Sequence, residues 1–236
     1  MDIHKPHAAK NWREFFIEIG TIVVGILIAL GLEQAIETIH MQEKVAAARE
    51  AVRDEIQDSL NNSQQVLDMK GCVERELDAL EKAISTNDRP TASAVLDNGS
   101  FTVQGLWSDA QWSMLASSQI NDQLSPQERA SYAEIYKLVR LNGELMVKIL
   151  DTQSRLKVIT VPGAPVTPEI TNGRFQDAMA LRSLVTAGQS NSTWTEIIAK
   201  NIGLAPKPLQ DPRLPSVQGV RRCKAVANAL AGTQRS

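Results

Sequence analysis

Residues 15–32 read FFIEIGTIVVGILIALGL, an apolar stretch that one charge, Glu18, interrupts. A helix that continues to residue 36 would rise about 33 Å at about 1.5 Å per residue, which matches the hydrocarbon thickness of a bilayer. Glu18 then lies about one turn inside the edge, where a carboxylate can reach the headgroups. Trp12, just ahead of the stretch, is typical of an interfacial anchor. We therefore predict a transmembrane helix over residues 15–36.

Two other interpretations of this stretch stay open. Its uncharged part, residues 19–32, is short enough for the apolar region of a signal peptide, and Ala29-Leu30-Gly31 resembles a small-residue cleavage site. Apolar segments of this length also form buried helices in soluble proteins. A retained span is favoured because the apolar run can be extended far enough to cross the bilayer.

Basic residues set the expected orientation of the span. Three of them lie within residues 1–14, whereas two, Lys44 and Arg49, follow within about fifteen positions of the other end. Such a bias keeps the more basic side in the cytoplasm. The sequence therefore predicts a bacterial inner-membrane protein with a cytoplasmic tail over residues 1–14. Residues 37–236 are then an exported, periplasmic helical domain.

One side of the predicted span carries a carboxyl group and small side chains. Glu18, Thr21, Gly25 and Ala29 share a helical face, which we call the membrane association face. Small residues at this spacing let helix backbones approach closely in lipid, and a carboxyl group beside them can hydrogen-bond a partner. We predict that this face binds another membrane protein or a second copy of the chain. The alternative is that small residues are merely common in membrane helices and Glu18 marks the interface.

The same segment carries a recognisable pattern. Glu18 is followed seven positions later by Gly25-Ile26-Leu27-Ile28-Ala29-Leu30. This E-x6-GILIAL pattern resembles the N-terminal signature of a family of uncharacterised bacterial single-pass membrane proteins, in which the span precedes a helical domain. The resemblance covers about twenty of the 236 residues. It implies a topology and no particular chemistry.

The spacing of prolines predicts a long first helix. No proline occurs between Pro6 and Pro90, so we expect one helix from about Trp12 to about Ser85, with Gly71 as a candidate bend. Beyond the span, apolar residues recur at intervals of three, four or seven, which is typical of an amphipathic helix that packs on a partner surface. The transmembrane helix is thus expected to continue into a long helix of the exported domain.

The rest of the chain is expected to complete an all-α fold. Residues 86–104 are rich in turn formers and predict a connector. Ser125-Pro126-Gln127-Glu128 has the pattern of a capping box with proline in the first turn. Further helices are predicted over residues 106–119, 125–158, 168–202 and 217–230, with a possible break near Gly188. The exported part is therefore expected to be an antiparallel helical bundle.

The chain contains two cysteines, Cys72 and Cys223, both on the side expected to be exported. An even pair in an oxidising compartment favours a disulfide. Such a bond would tie the C-terminal segment to the first helix. Two buried free thiols are the alternative.

Composition and residue placement argue against several functions. The formal net charge is −2 and aromatic residues make up 4%, which disfavours a nucleic-acid surface. The three histidines, His4, His7 and His40, leave the exported domain without a histidine base or metal ligand beyond residue 40. We predict no catalytic residue, no metal site, no cofactor and no enzymatic activity.

Other side chains that could form a site have simpler interpretations. The carboxylate pairs Glu50 with Asp54 and Glu74 with Asp78 lack the Glu-x-x-His elements of di-metal bundles, so we predict solvated helix faces. For the tryptophans, packing in the core is favoured over lining a pocket; this applies to Trp107, Trp112 and Trp194.

Two function classes remain. The first is a membrane-anchored interaction or scaffold protein, an accessory subunit that binds the lipid bilayer and either another membrane protein or itself. The second is a periplasmic ligand-binding bundle of sensor type. The second class needs a separate signalling partner, because the predicted cytoplasmic tail is only about fourteen residues long.

Overall fold

The structure is a computed structural model that describes residues 12–99, 101, 107–161, 163, 166–207, 220, 221 and 223. Within these ranges every regular element is helical, so the predicted all-α class is confirmed. The helices are α1 (Trp12–Ser85), α2 (Arg89–Asn98), α3 (Ala110–Ala116), α4 (Pro126–Leu156) and α5 (Pro168–Asn201), with short 3-10 helices at Gln119–Gln123 and Lys157–Thr160.

Helix α1 confirms the long first helix at both predicted ends, Trp12 and Ser85. The helix continues through Gly71 without interruption. The chain divides into two compact units, Met1–Arg49 and Glu50–Ser236, and α1 contributes to both. In the first unit every residue from 12 to 40 is exposed.

The second unit has a continuous hydrophobic core built by four helices. Its largest contribution comes from the C-terminal half of α1, where Leu77, Leu80 and Ile84 are at most 1% exposed. The remaining core side chains include Val95 and Leu96 of α2, Ile149 and Leu156 of α4, and Ala178, Leu181 and Val185 of α5. The amphipathic pattern of α1 is therefore matched by partner surfaces within this unit.

Helix α2 corrects the prediction of a connector over residues 86–104. The residues predicted to form a turn instead begin this helix. The carboxylate of Asp88 accepts a hydrogen bond from the N–H of Thr91 at 3.2 Å, and Pro90 lies in the first turn. Ala92 and Val95 are fully buried on its inner side. The prediction of a connector is wrong here because the residue types that cap helices are the same ones that form turns.

Helix α4 begins with the predicted capping box. The hydroxyl of Ser125 accepts from the N–H of Glu128 at 3.2 Å, and the Glu128 carboxylate accepts from the N–H of Ser125 at 3.0 Å. The α-helix ends at Leu156, and a 3-10 helix follows directly over Lys157–Thr160. The prediction of a helix ending near Val158 is therefore close.

Helices α4 and α5 pack against each other. Arg155, near the end of α4, donates hydrogen bonds to Asp177, in the first third of α5, at 3.1 and 3.2 Å. Toward the other end of α4, Asn142 lines the same cavity as Gln189 of α5. The two helices therefore run in opposite directions. Helix α5 is continuous through Gly188, so the possible break there is absent.

Two predictions differ from the structure or fall outside it. The helix expected over residues 106–119 is shorter, because α3 spans only Ala110–Ala116 and is followed by a 3-10 turn. Of the helix expected over residues 217–230, positions 220, 221 and 223 are described and helical. The other residues of that prediction lie outside the described ranges.

Candidate functional site

The apolar segment of α1 is the principal surface feature of the first unit. Among the described residues, α1 is the one helix long and apolar enough to cross a membrane, and its most apolar window has a mean hydropathy of 2.5. None of that window is buried inside the chain. A core helix of a soluble protein would bury such a surface. The described part of the chain therefore supplies no cover for this segment.

The membrane association face lies on the exposed part of α1. Glu18, Thr21, Gly25 and Ala29 are all exposed. A Cβ atom at Gly25 would meet nothing within 4 Å, so the space beside its backbone is open. The hydroxyl of Thr21 donates to the carbonyl of Ile17 at 2.8 Å, which satisfies it within its own helix. Binding of a partner by this face stays a prediction.

Cys72 and Cys223 confirm the predicted pairing. They form a pair at disulfide distance with a Cα separation of 5.8 Å, which lies within the range of protein disulfides. Their exposures are 4% and 0%, so both lie in the core. The pair links positions 151 residues apart and fixes the C-terminal segment to α1. It is a structural connection inside the second unit.

The Glu55 carboxylate of α1 accepts four hydrogen bonds and so forms a polar cluster in the second unit. One carboxylate oxygen accepts from the hydroxyl of Ser108 at 2.6 Å and from the N–H of Ala110 at 3.0 Å. The other accepts from the N–H of Gln111 at 3.0 Å and from the hydroxyl of Tyr136 at 2.8 Å. The carboxylate therefore caps α3 and holds α4 at the same time.

Tyr136 is the buried member of this cluster. Its side chain is fully buried, and its ring stacks on that of Trp112 with centroids 5.7 Å apart. Burial raises the pKa of the Tyr136 hydroxyl far above its usual value, and the hydrogen bond and negative charge of Glu55 add to that rise. A phenol held protonated and already paired to a carboxylate is a framework element. The cluster leaves no obvious group for a reaction.

Carboxylates elsewhere agree with the predicted solvated faces. Glu50, Asp54 and Glu74 are exposed. Asp78 is also exposed, and the guanidinium of Arg182 on α5 donates to it at 2.6 Å. No group of three or more histidine, cysteine, aspartate or glutamate side chains able to hold a metal ion occurs in the part of the chain that the structure describes.

The second unit contains a cavity of about 50 Å³, which we call the Asn142 cavity. Its walls are mainly apolar. They comprise Val66, Met69 and Val73 of α1, Leu145, Met146 and Ile149 of α4, and Val185 and Gly188 of α5, together with Phe101 and Trp107. Two carboxamides, Asn142 and Gln189, also line it. The arrangement of apolar walls with a few polar groups is typical of small-molecule sites.

Asn142 is the unusual residue of this cavity. It is 5% exposed, and neither its side-chain oxygen nor its side-chain nitrogen has a hydrogen-bond partner among the described residues. Sequence reasoning missed it. The signal was present, because Asn142 lies three positions after Val139 and seven before Ile149, on the same helical face as these two apolar residues. A polar residue in a buried helical stripe requires a partner.

Three of the four tryptophans were predicted to pack in the core, and their environments differ. Trp112 is buried in the core, as predicted. Trp107 lines the Asn142 cavity, which is the interpretation that the sequence disfavoured. Trp194 is 55% exposed, so the prediction of core packing is wrong there. Position along a helix did not distinguish these cases, because the outcome depends on which neighbouring helix each ring faces.

Comparisons with protein-family models, with curated proteins and with solved structures find no significant match to this chain. The resemblance to the single-pass membrane family therefore stays a prediction. Any assignment of function must come from the chain's own surfaces and contacts.

Proposed function

We propose that this protein is a membrane-anchored interaction or accessory-subunit protein of the bacterial inner membrane. Its N-terminus lies in the cytoplasm and its helical domain in the periplasm. The domain and the span bind a larger membrane complex or further copies of the chain. The observation that carries this proposal is the apolar segment of α1, none of whose most apolar window is buried by the residues that the structure describes.

The physical argument begins with that exposed surface. Isoleucine, valine and leucine side chains along it are about half exposed or more, for example Val24 at 54% and Leu27 at 62%. Exposing such a surface to water is unfavourable by about 25 cal/mol for each Å² of apolar area. Lipid removes that cost without any protein partner. The buried disulfide pair adds support for an exported domain, since such bonds persist in oxidising compartments.

The membrane association face extends the argument from anchoring to interaction. Inside lipid there is little hydrophobic drive for two helices to associate, so close backbone contact and hydrogen bonds decide. Gly25 and Ala29 allow close contact, and Glu18 offers a carboxyl group on the same side. An anchor that only held the domain at the membrane would not need this combination.

A substitution pair tests the face directly. Gly25→Ile places a branched side chain on the membrane association face, and Gly20→Ile places the same side chain about 140° away on the helix. A Cβ atom meets nothing within 4 Å at either glycine, so neither change disturbs the chain itself. Association of two differently tagged copies in nanodiscs, and the mass of the complex in mild detergent, are the measurements. Glu18→Gln tests the carboxyl group separately.

We expect Gly25→Ile to reduce association at least fivefold and Gly20→Ile to leave it unchanged. Equal effects of the two substitutions, or none from Gly25→Ile and Glu18→Gln, would remove the face from the proposal. Reporter fusions at residue 5 and at residue 100 test the orientation. A periplasmic signal from the first fusion would contradict the cytoplasmic N-terminus.

A second function, a ligand-binding bundle of sensor type, gains support from the Asn142 cavity. That cavity combines apolar walls with two buried carboxamides, and the polar atoms of one of them, Asn142, have no partner in the part of the chain that the structure describes. Thermal unfolding of the full chain across a set of small neutral molecules tests this function. A rise in melting temperature with any of them supports it, and its absence with all of them contradicts it.

A further inference from the structure

We propose that the Asn142 cavity binds a short, uncharged molecule that carries a primary amide or lactam group. The proposal rests on the second function above and names its ligand class. It is independent of the membrane association face.

The residues that line the cavity indicate that its ligand carries no charge. None of the lining side chains that the structure describes is ionisable. A charged ligand would lose its hydration there without gaining an ion pair, which is strongly unfavourable in an apolar site. The ligand is therefore neutral over most of the ordinary pH range.

The amide group is read from Asn142. Its side chain offers both N–H donors and a carbonyl acceptor, and both atoms are unpaired among the described residues. A ligand that only accepts, such as an ester, leaves the Asn142 carbonyl oxygen unpaired, and a ligand that only donates leaves the Asn142 N–H groups unpaired. A primary amide or lactam presents a donor and an acceptor side by side and can satisfy both atoms. Gln189, which is 7% exposed, places a second carboxamide in the same cavity.

The cavity volume limits the rest of the ligand. About 50 Å³ is several times the space that one water molecule needs and is well below a drug-sized pocket. Met69 and Met146 provide flexible walls that can adapt to a short alkyl group. A membrane acyl chain is too long, so the ligand is a short-chain amide or small lactam.

The test uses the full chain in nanodiscs and ¹⁹F NMR of three matched probes. They are 3,3,3-trifluoropropionamide, its methyl ester analogue, which has no N–H donor, and 3,3,3-trifluoropropionate, which is charged. We expect the amide to bind at least tenfold more tightly than either of the others. Empty nanodiscs measure partitioning into lipid.

Three variants locate the binding. Asn142→Leu is expected to weaken amide binding at least tenfold while leaving the weak ester binding unchanged or stronger. Gly188→Leu projects a side chain from α5 into the cavity and is expected to abolish binding of all probes. Gly173→Leu is the matched control on the same helix, because a Cβ atom meets nothing within 4 Å at either glycine. It should bind the amide like the original chain.

The outcomes separate the ligand class from the ligand-binding function. If the ester or the carboxylate binds as tightly as the amide, and Gly188→Leu removes that binding, the amide assignment is wrong while a small-molecule site stands. If no probe binds and no small neutral molecule raises the melting temperature, both proposals fail and Asn142 is satisfied by water alone. If Asn142→Leu does not fold, Gly188→Leu against Gly173→Leu still decides whether the amide occupies this cavity.

Discussion

Leu27 and Leu77 lie on the same helix and have opposite environments. Leu27, in the first unit, is 62% exposed, whereas Leu77, in the second unit, is 1% exposed. Both positions are equally compatible with a helix, so helix formation does not distinguish them. The difference is whether the chain supplies a surface to cover the side chain. The second unit supplies such a surface for Leu77. In the first unit Leu27 stays exposed among the described residues.

Polar groups show the same contrast. In the second unit the Glu55 carboxylate accepts hydrogen bonds from two hydroxyls, one of them the buried Tyr136, and from two backbone N–H groups. In the first unit Glu18 lies on an exposed helix face. The Glu55 carboxylate therefore joins helices within its unit, whereas the environment of Glu18 depends on what surrounds the exposed helix.

Removal of the disulfide should give the largest effect on the second unit. The bond closes a separation of 151 residues, for which the chain-entropy model gives a stabilisation of about 5 kcal/mol. We expect the double variant Cys72→Ala with Cys223→Ala to lose about that much in urea unfolding, with membrane association unchanged. Mass spectrometry of the untreated membrane fraction is the control. Two free thiols there would contradict the bond.

Alanine substitutions at Leu77 and Leu27 test whether burial of the side chain decides its contribution to stability. Leu77→Ala should reduce the free energy of unfolding by about 2 to 5 kcal/mol, because it leaves a cavity in the core. Leu27→Ala should change the unfolding of the same domain by less than about 0.5 kcal/mol, because it removes no contact there. Tryptophan fluorescence in urea, with the chain in detergent, measures both. Similar losses from the two substitutions would break the distinction between the units.

Glu55→Ala tests the polar cluster. It removes the nearer acceptor of the buried Tyr136 hydroxyl and of the Ala110 N–H group, each of which keeps a second acceptor at 3.3 Å, and it removes the acceptor of the Gln111 N–H group. We therefore expect a loss of about 1 to 3 kcal/mol. Asp54→Ala, one position earlier and exposed, is the matched control and should stay within about 0.5 kcal/mol. An equal effect of the two changes would mean that Glu55 does not join the helices energetically.

Alkaline pH should give a smaller, gradual effect through Tyr136. Burial and Glu55 raise the pKa of this phenol above its unfolded value of 10.0, so the folded chain holds a proton that the unfolded chain releases. The stabilisation is complete below about pH 10 and is lost above it by at most about 1.4 kcal/mol per pH unit. Tyr136→Phe should lack this component, as judged by urea unfolding between pH 9 and 11. Identical pH profiles of the two chains would show that folding does not raise the pKa of Tyr136.

Local features were predictable because each depends on residues close together in sequence. The absence of proline and the apolar run determined α1, and the spacing of Ser125 and Glu128 determined the start of α4. The cysteine pairing was predictable for another reason, since two cysteines allow one intramolecular bond. The connector prediction failed because Asp88 and Pro90 serve equally well in a turn and at a helix start.

Tertiary structure decided what lies opposite each helix face. The sequence by itself determined a single apolar segment, an all-α chain and the residues of the membrane association face. Only packing revealed that Glu55 caps a helix more than fifty positions later, that Asn142 lies in a cavity without a hydrogen-bond partner among the described residues, and that Trp194 is exposed. The physical reason is range: helix starts and apolar runs are set within a few turns, whereas burial and polar pairing depend on side chains that are distant in sequence.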